Sequence, residues 1–462
     1  VTAGAAARRD RSLRRAREAA LPATAALEGV AAAARWTAAA LRAQAVRGKQ
    51  YRGSAGMTGT WIDIGDGFRG YLAVPQCGSG PGLLLLQEIF GVNPHMRDVA
   101  DDYAEEGYVV LAPDLFWRLE PGVELGHSDA DMARAFALYG RFDTAQATQD
   151  IGTALTCLRA RPECTGKVGA LGFCLGGLLA YLAAARCGVD CAVGYYGVGI
   201  ENHLDEAASI AGPLVLHFGE RDALVPAAAR GAIAAALADR ADAQIFVYPG
   251  CDHAFNNPGR PSFDKAAALM AHSRSIAALR QAMGPHFDLS ALWEQHTGYE
   301  FGERDAEATM RTMVAQPYVN HIPVMTGGVG YADLLRFYQH HFIPKTPADT
   351  RLVPISRTIG ADRVVDEMLF CFTHDIEIDW MLPGVAPTGR YVEIPLVAIV
   401  RFRGDKLYNE HIYWDQASVL AQIGLLDPAT LPVAGVETAR KLLDESLPSN
   451  TKMRRWSESA GR

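Results

Sequence analysis

Between Met57 and about Gly284, short apolar runs alternate with stretches of helical periodicity. Gly82–Gln87 (GLLLLQ), Tyr108–Pro113 (YVVLAP), Val168–Leu171, Ala192–Tyr196, Leu214–Phe218 and Gln244–Tyr248 are apolar almost throughout, not at every second residue. Strands of that kind are buried on both faces, the condition inside a parallel sheet. The intervening Pro94–Glu106, Asp129–Arg141, Thr144–Arg161, Val225–Ala238 and Phe263–Met283 read as helices. The pattern predicts a doubly wound, mostly parallel sheet covered on both faces. Past Pro285–Asp288 the pattern changes. Leu289–Thr297, Glu303–Thr312 and Tyr331–Phe342 predict helices. Leu352–Ile359, Arg363–Trp380, Arg390–Arg403 and Lys406–Trp414 then predict long alternating strands, hence an α+β unit with an antiparallel run. The expected division is a 1–56 extension, a 57–285 α/β domain, a 286–428 α+β domain and a 429–462 tail. That tail holds one short helix, Val436–Leu447, and a polar, basic, mobile end.

The stretch that organises the first domain is Gly169–Ala185, GALGFCLGGLLAYLAAA. Inside it, Gly172-Phe173-Cys174-Leu175-Gly176-Gly177 has the small–x–nucleophile–x–small form of a nucleophile elbow, with a thiol in place of the usual hydroxyl. A strand that turns straight into a helix brings backbone against backbone, and glycines leave the room. The turn presents Cys174 at the strand's carboxyl end. The helix N-terminus behind it favours thiolate and can hold an oxyanion. Val168–Ala185 is eighteen residues without a charge, so hydropathy alone permits a membrane span. Its four glycines and the flanking α/β alternation point to a buried core element instead.

Composition narrows the picture. The 462 residues are 49% hydrophobic and 21% charged, enough for a substantial core. Residues 1–56 carry eleven Lys/Arg against three Asp/Glu, whereas the remainder carries a net −16. An acidic body argues against nucleic acid as the partner. The Ala- and Arg-rich segment reads as helical but lacks apolar residues for a core; a transit segment or an upstream extension before Met57 would account for it, and the second is preferred. The eight cysteines form no CxxC pair and have no histidine at zinc spacing, so no metal and no cofactor is expected. Scattered thiols without a secretory signal point to a cytoplasmic protein.

One dinucleotide-like match is dismissed. Gly65-Asp66-Gly67-Phe68-Arg69-Gly70 fits G-x-G-x-x-G, but a second strand follows it where a helix is required, so it is a hairpin turn. A thiol nucleophile needs a base, and the base an orienting carboxylate. Asp222 (in GERDALVP) follows one strand and His253 (in YPGCDHAFNN) follows the next. The order Cys174, Asp222, His253 is nucleophile, acid, base, as in α/β hydrolases. Phe136, Tyr139, Tyr195 and Tyr196 suggest an aromatic substrate pocket, with core packing as the alternative.

Residues 57–284 resemble the dienelactone hydrolase (carboxymethylenebutenolidase) family. The resemblance is carried by QEIFGVN (Gln87–Asn93), GYVVLAPDLF (Gly107–Phe116), GFCLGG (Gly172–Gly177), GYYG (Gly194–Gly197) and the Asp222 and His253 segments. It implies an α/β-hydrolase fold, a small lactone or enol-ester substrate, and Glu88 as acceptor of the thiol proton. It further implies an oxyanion hole from the Ile89 and Leu175 N–H groups. Two arginines that bind the substrate carboxylate in the family do not match: Asn257 stands at one position, and Met132, with Arg134 displaced, near the other. Arg118 and Arg260 are the available substitutes.

Residues 289–428 resemble the nuclear transport factor 2-like superfamily, in its polyketide-cyclase-like branch. FTHDIEIDWMLPGVAPTGR (Phe372–Arg390) and EHIYWDQASVLAQIGLL (Glu410–Leu426) carry the resemblance. It implies a cone-shaped α+β fold with an apolar pocket, lined by His321, His374, His411, Trp414 and Asp415. His340 and His341 read as structural. Such a domain binds a ligand, moves a proton or supports a homodimer. The expected partner is a small lactone or ester, with no nucleic acid and no membrane; a scaffold with a degenerate hydrolase site is the reading from another class.

Overall fold

The computed structural model describes residues 59–460; the 1–56 extension lies outside them. Two sheets dominate. The first has eight strands: β1 (Thr60–Gly65), β2 (Phe68–Ala73), β3 (Gly80–Leu86), β4 (Val109–Pro113), β5 (Cys164–Phe173), β6 (Ala192–Tyr195), β7 (Leu214–Gly219) and β8 (Ala243–Tyr248). Their spatial order is β1-β2-β4-β3-β5-β6-β7-β8. From β4 to β8 every pairing is parallel, while β1 and β2 add an antiparallel edge. Apolar residues of β3 to β7 are buried on both faces because helices cover both sides. This is the α/β-hydrolase fold in the N-terminal half. The G-x-G-x-x-G match is the β1–β2 turn, as expected. Among the described residues, no helix is long and apolar enough to cross a membrane.

The second sheet holds β9 (Met313–His321), β10 (Thr326–Val329), β11 (Arg351–Ile359), β12 (Arg363–Thr373), β13 (Tyr391–Arg403) and β14 (Lys406–Trp414), in the order β10-β9-β14-β13-β12-β11. It departs from the sequence expectation in four ways. β9 and β10 were not anticipated, and β9 pairs with β14 in parallel. The predicted strand Arg363–Trp380 ends at Thr373, because the following Ile378–Leu382 segment is apolar through burial in a turn, not through strand pairing. The predicted helices Glu303–Thr312 and Tyr331–Phe342 are broken into short α-helices, Ala306–Arg311 and Tyr331–Phe337, adjoining π-helical turns at Gly298–Glu303 and Tyr338–Phe342. The tail helix is Glu437–Leu443, and its Ala439 packs on Leu369 and Cys371, so this part of the tail is seated on the sheet.

The two halves meet along a seam of buried charge. Asp362, between β11 and β12, accepts from Ser273 of the helix Lys265–Met283 at 2.7 and 2.8 Å, and from Arg401 Nε at 3.2 Å. The Arg403 guanidinium reaches Asp102 at 2.8 Å and Glu105 at 2.7 Å, both on the helix Pro94–Glu105. Burial opposes ionisation of Asp362, but the Arg363 and Arg401 charges and the Ser273 hydroxyl outweigh it and pull the carboxyl down to about 2. A depressed carboxyl contributes stability above its unfolded pKa and loses it as pH falls through the folded one. Asp362→Asn is therefore expected to destabilise the chain by about 2–4 kcal/mol at pH 7, since Arg401 is left buried without its partner. The gap to wild type should close by about 2 kcal/mol between pH 4 and pH 2. Urea unfolding across that range reads both.

Candidate active site

The site begins with a steric requirement. At Gly172 an added Cβ would lie 2.0 Å from the Gly176 carbonyl oxygen, and at Gly176 it would lie 2.1 Å from the Leu86 oxygen. Only bare backbone lets the helix Leu175–Arg186 start directly on β5 and pack against β3. The turn forces Cys174 to φ 55°, ψ −113°, a strained backbone for a residue with a side chain. That conformation lifts the half-buried thiol above the sheet. The Leu175 N–H, first in its helix, has no preceding helical carbonyl to bond.

Neighbouring strands bring the partners. Asp222, after β7, is fully buried: Oδ1 accepts the Leu224 N–H at 2.9 Å, and Oδ2 lies 2.8 Å from His253 Nδ1. The Cys174 sulfur lies close enough to the same ring for its charge to act on it, and with Nδ1 held by Asp222 the free nitrogen is Nε2. Burial by itself would hold His253 neutral. The hydrogen bond that Asp222 accepts from the ring, with the Asp222 and Cys174 charges, overrides it and pushes the imidazole up to about 10. Tyr196, at φ 39°, packs its ring 4.7 Å from His253 and donates to Asn256 at 2.5 Å. Glu88 and Ile89 follow β3, whose Leu86 is in register with Gly172. Glu88 is buried, and burial raises its carboxyl against the pull of His253, Arg260 and Asn257.

The remaining candidates separate. Tyr139 is 39% exposed and close enough to Cys174 to feel its charge, at the mouth of the site. Phe136, one turn earlier on the same helix, is 55% exposed. Tyr195 faces the other way: it is buried, with its hydroxyl 2.7 Å from Ser275 and its ring against His217. Of the two substitute arginines, Arg118 is committed, with a bidentate pair to Asp150 at 2.8 and 3.0 Å and a stack on Trp117. Arg134 pairs with Glu120. Arg260 instead sits over Phe90, beside Glu88 and Tyr196, and its buried Nε has no hydrogen-bond partner.

In the C-terminal half the five candidates do not form one site. His321 lines a cavity, stacked on Phe342 and Trp380, and Trp414 packs beside it. His411 lies on the opposite face of β14, against Tyr318. His374 is buried in the loop after β12, next to Thr388. Asp415 caps the helix Gln416–Gln422. His341 bonds Asp379 at 2.8 Å. Three buried residues escaped the sequence reading: Glu300 and Glu410, which line the cavity, and His296, which lies against both. The i, i+4 spacing of His296 and Glu300 was the available signal.

Comparison with known proteins agrees with this architecture. The family model described as "Dienelactone hydrolase family" matches residues 68–283. A protein of Azospirillum brasilense named "Putative carboxymethylenebutenolidase" is 42% identical over 233 residues, covering 49% of this chain and 100% of the relative. The carboxymethylenebutenolidase of Pseudomonas sp. (strain P51) is 36% identical over 218 residues, 47% of this chain and 91% of its own. A crystal structure titled "Putative Dienelactone Hydrolase", from Klebsiella pneumoniae, aligns at 29% identity and TM-score 0.44, over 49% of this chain and 99% of that one. The N-terminal half is thus a carboxylic ester hydrolase of α/β-hydrolase fold. The chain belongs to the dienelactone hydrolase family.

The raised imidazole sets a pH dependence. A histidine whose folded pKa exceeds its unfolded value stabilises fully below about 6.5, and that stability fades as pH rises through the folded value. The stability gap between wild type and His253→Gln is expected to be about 2–4 kcal/mol at pH 6 and to shrink toward pH 10. Denaturant titrations at several pH values check it; a gap that widens with pH would reverse the assignment of the charged partners.

Proposed function

We propose that the N-terminal half, residues 57–285, hydrolyses a small lactone or enol ester through Cys174. The observation that carries this reading is the 2.8 Å bond between His253 and Asp222, with the strained Cys174 near enough for its charge to act on the same ring. Cys174 sulfur attacks the ester carbonyl. The Ile89 and Leu175 N–H groups hold the oxygen as it gains charge, and preorganised donors of that kind lower the barrier by about 3 kcal/mol each. His253 delivers its proton to the departing enolate or alkoxide oxygen, then takes one from the water that cleaves the thioester. Asp222 fixes the ring's tautomer. Glu88 accepts the thiol proton when substrate arrives, a role carried over from the family. Unperturbed thiols ionise near pH 8.5, so without such help thiolate is a minority species at neutrality.

The substrate in this reading carries its own carboxylate, as the name of the Pseudomonas relative indicates for that enzyme. Arg260 replaces the missing arginines: its charge reaches Glu88 and Tyr196, and its buried Nε has no hydrogen-bond partner within the chain. Tyr139 frames the opening, Phe136 extends it, and buried Tyr196 packs beside His253. The C-terminal half, residues 286–428, is read as a nuclear transport factor 2-like domain that binds a small ligand or pairs with a second copy. Eight free thiols fit a cytoplasmic setting.

Cys174→Ala is expected to reduce turnover of an activated ester by about 10³-fold or more with an unchanged circular-dichroism spectrum. Retained turnover would remove the nucleophile assignment. Arg260→Ala should raise KM for a carboxylate-bearing dienelactone by about 10- to 100-fold, the worth of a charge-assisted hydrogen bond. A neutral lactone should be hydrolysed as before. Equal losses on both substrates would place the arginine in structure, not in recognition.

A further inference from the structure

The C-terminal sheet folds over a small cavity with about 40 Å³ that water can occupy. Phe301, Phe342, Phe370 and Trp380 form apolar walls, but one side is ionisable. Glu300 and Glu410 line that side, and His296 and Tyr338 lie next to them, each of the four at most 5% exposed. His296 Nε2 lies 3.2 Å from Glu300 Oε1 and 3.1 Å from Glu410 Oε1. Among the described residues this is the one group of three His, Cys, Asp or Glu side chains whose ligand atoms all fall within 4.8 Å of one another.

Hydrogen bonding fixes which nitrogen faces the carboxylates. The Thr312 hydroxyl donates its proton to the Thr309 carbonyl at 2.6 Å, and lies 2.6 Å from His296 Nδ1. With that proton spent, Thr312 can only accept, so Nδ1 carries a hydrogen and Nε2 turns toward the two carboxylates. Neither carboxylate contact has hydrogen-bond alignment, and His296 Nε2, Glu410 Oε1 and the Tyr338 hydroxyl are buried without partners. Two buried carboxylates repel unless a cation joins them. A proton on Nε2 cancels one of the two negative charges; a divalent ion cancels both. Two ligand atoms about 2.1 Å from a shared metal lie about 3.0–3.4 Å apart at octahedral or tetrahedral angles, which the two observed separations match.

The backbone supports the same reading. Glu300 and Tyr338 each sit in a π-helical turn. Such turns make up well under about 1% of residues and recur at functional sites. Thr312 supplies the outer hydrogen bond that orients a metal-binding histidine. The cavity has room for one or more waters of an ion's shell.

We propose that His296 Nε2, Glu300 and Glu410 bind one divalent first-row transition-metal ion, with cavity water completing its shell. The site is separate from the hydrolase machinery. It departs from the expectation of no metal, which rested on cysteine and histidine spacing.

The test uses the full chain, stripped with a chelator, dialysed and titrated with Co²⁺ as a spectroscopic probe and with Zn²⁺ by equilibrium dialysis. One ion of each per chain is expected, with Co²⁺ ligand-field bands and no thiolate charge-transfer band, which separates this site from the cysteines. Glu300→Gln and Glu410→Gln should each weaken binding at least about 10-fold. Both should leave ester hydrolysis unchanged, which reports that the chain is folded. Absence of stoichiometric binding to wild type overturns the proposal, and so does binding that both glutamine variants retain. Either result would mean that a proton alone holds the cluster.

Discussion

The hydrolase half depends on the crossing of two backbones where no side chain fits. Gly172 and Gly176 let the helix Leu175–Arg186 begin on the last residue of β5, with Leu86 of β3 against it. Everything chemical follows from that contact. The strain at Cys174 is local and unfavourable, worth about 1–3 kcal/mol, and persists only because the surrounding sheet fixes both flanks. The same contact sets Cys174 beside the segment after β3 that carries Glu88 and Ile89. A methyl group at either glycine would therefore act together on Cys174, on Glu88 and on the Ile89 and Leu175 N–H groups proposed as oxyanion donors.

Much of this arrangement was legible because parallel strands are apolar on both faces and stand out from helices. Cys174, Asp222 and His253 were placed by their position just after three such strands. What the arginines do was not legible. Arg118, Arg134 and Arg260 are equivalent as letters; their partners distinguish them, and those partners are distant in sequence or lie on other elements. Asp150 and Trp117 occupy Arg118, and Glu120 occupies Arg134, while Arg260 alone stands beside Glu88.

The C-terminal sheet was harder to read for a specific reason. Counting alternate residues along β14 from buried Leu407 places His411 inward. The strand pairing shifts between Leu407 and Asn409, and a bulge of that kind moves the following side chains to the other face. Glu410, Ile412 and Trp414 point inward instead, and His411 outward. β9 was hidden because Pro317 interrupts its alternation. His411, which the family resemblance suggested as a pocket residue, is thus the neighbour of the residue that faces the cavity.

The seam between the halves links these two accounts. The helix Pro94–Glu105 starts at Asn93, whose side chain accepts the Met96 N–H and donates to the Leu125 carbonyl. Its last turn is gripped by Arg403, and Gly404 approaches so closely that a Cβ there would lie 2.5 Å from the Glu105 carbonyl oxygen. The short segment Gln87–Val92 is therefore held at one end by the sheet and at the other by a helix that the C-terminal half braces. Oxyanion donors act by being fixed before the charge appears, since reorientation during the reaction would cost part of the gain. A brace on the helix that follows Ile89 would serve that requirement at the oxyanion hole proposed for Ile89 and Leu175.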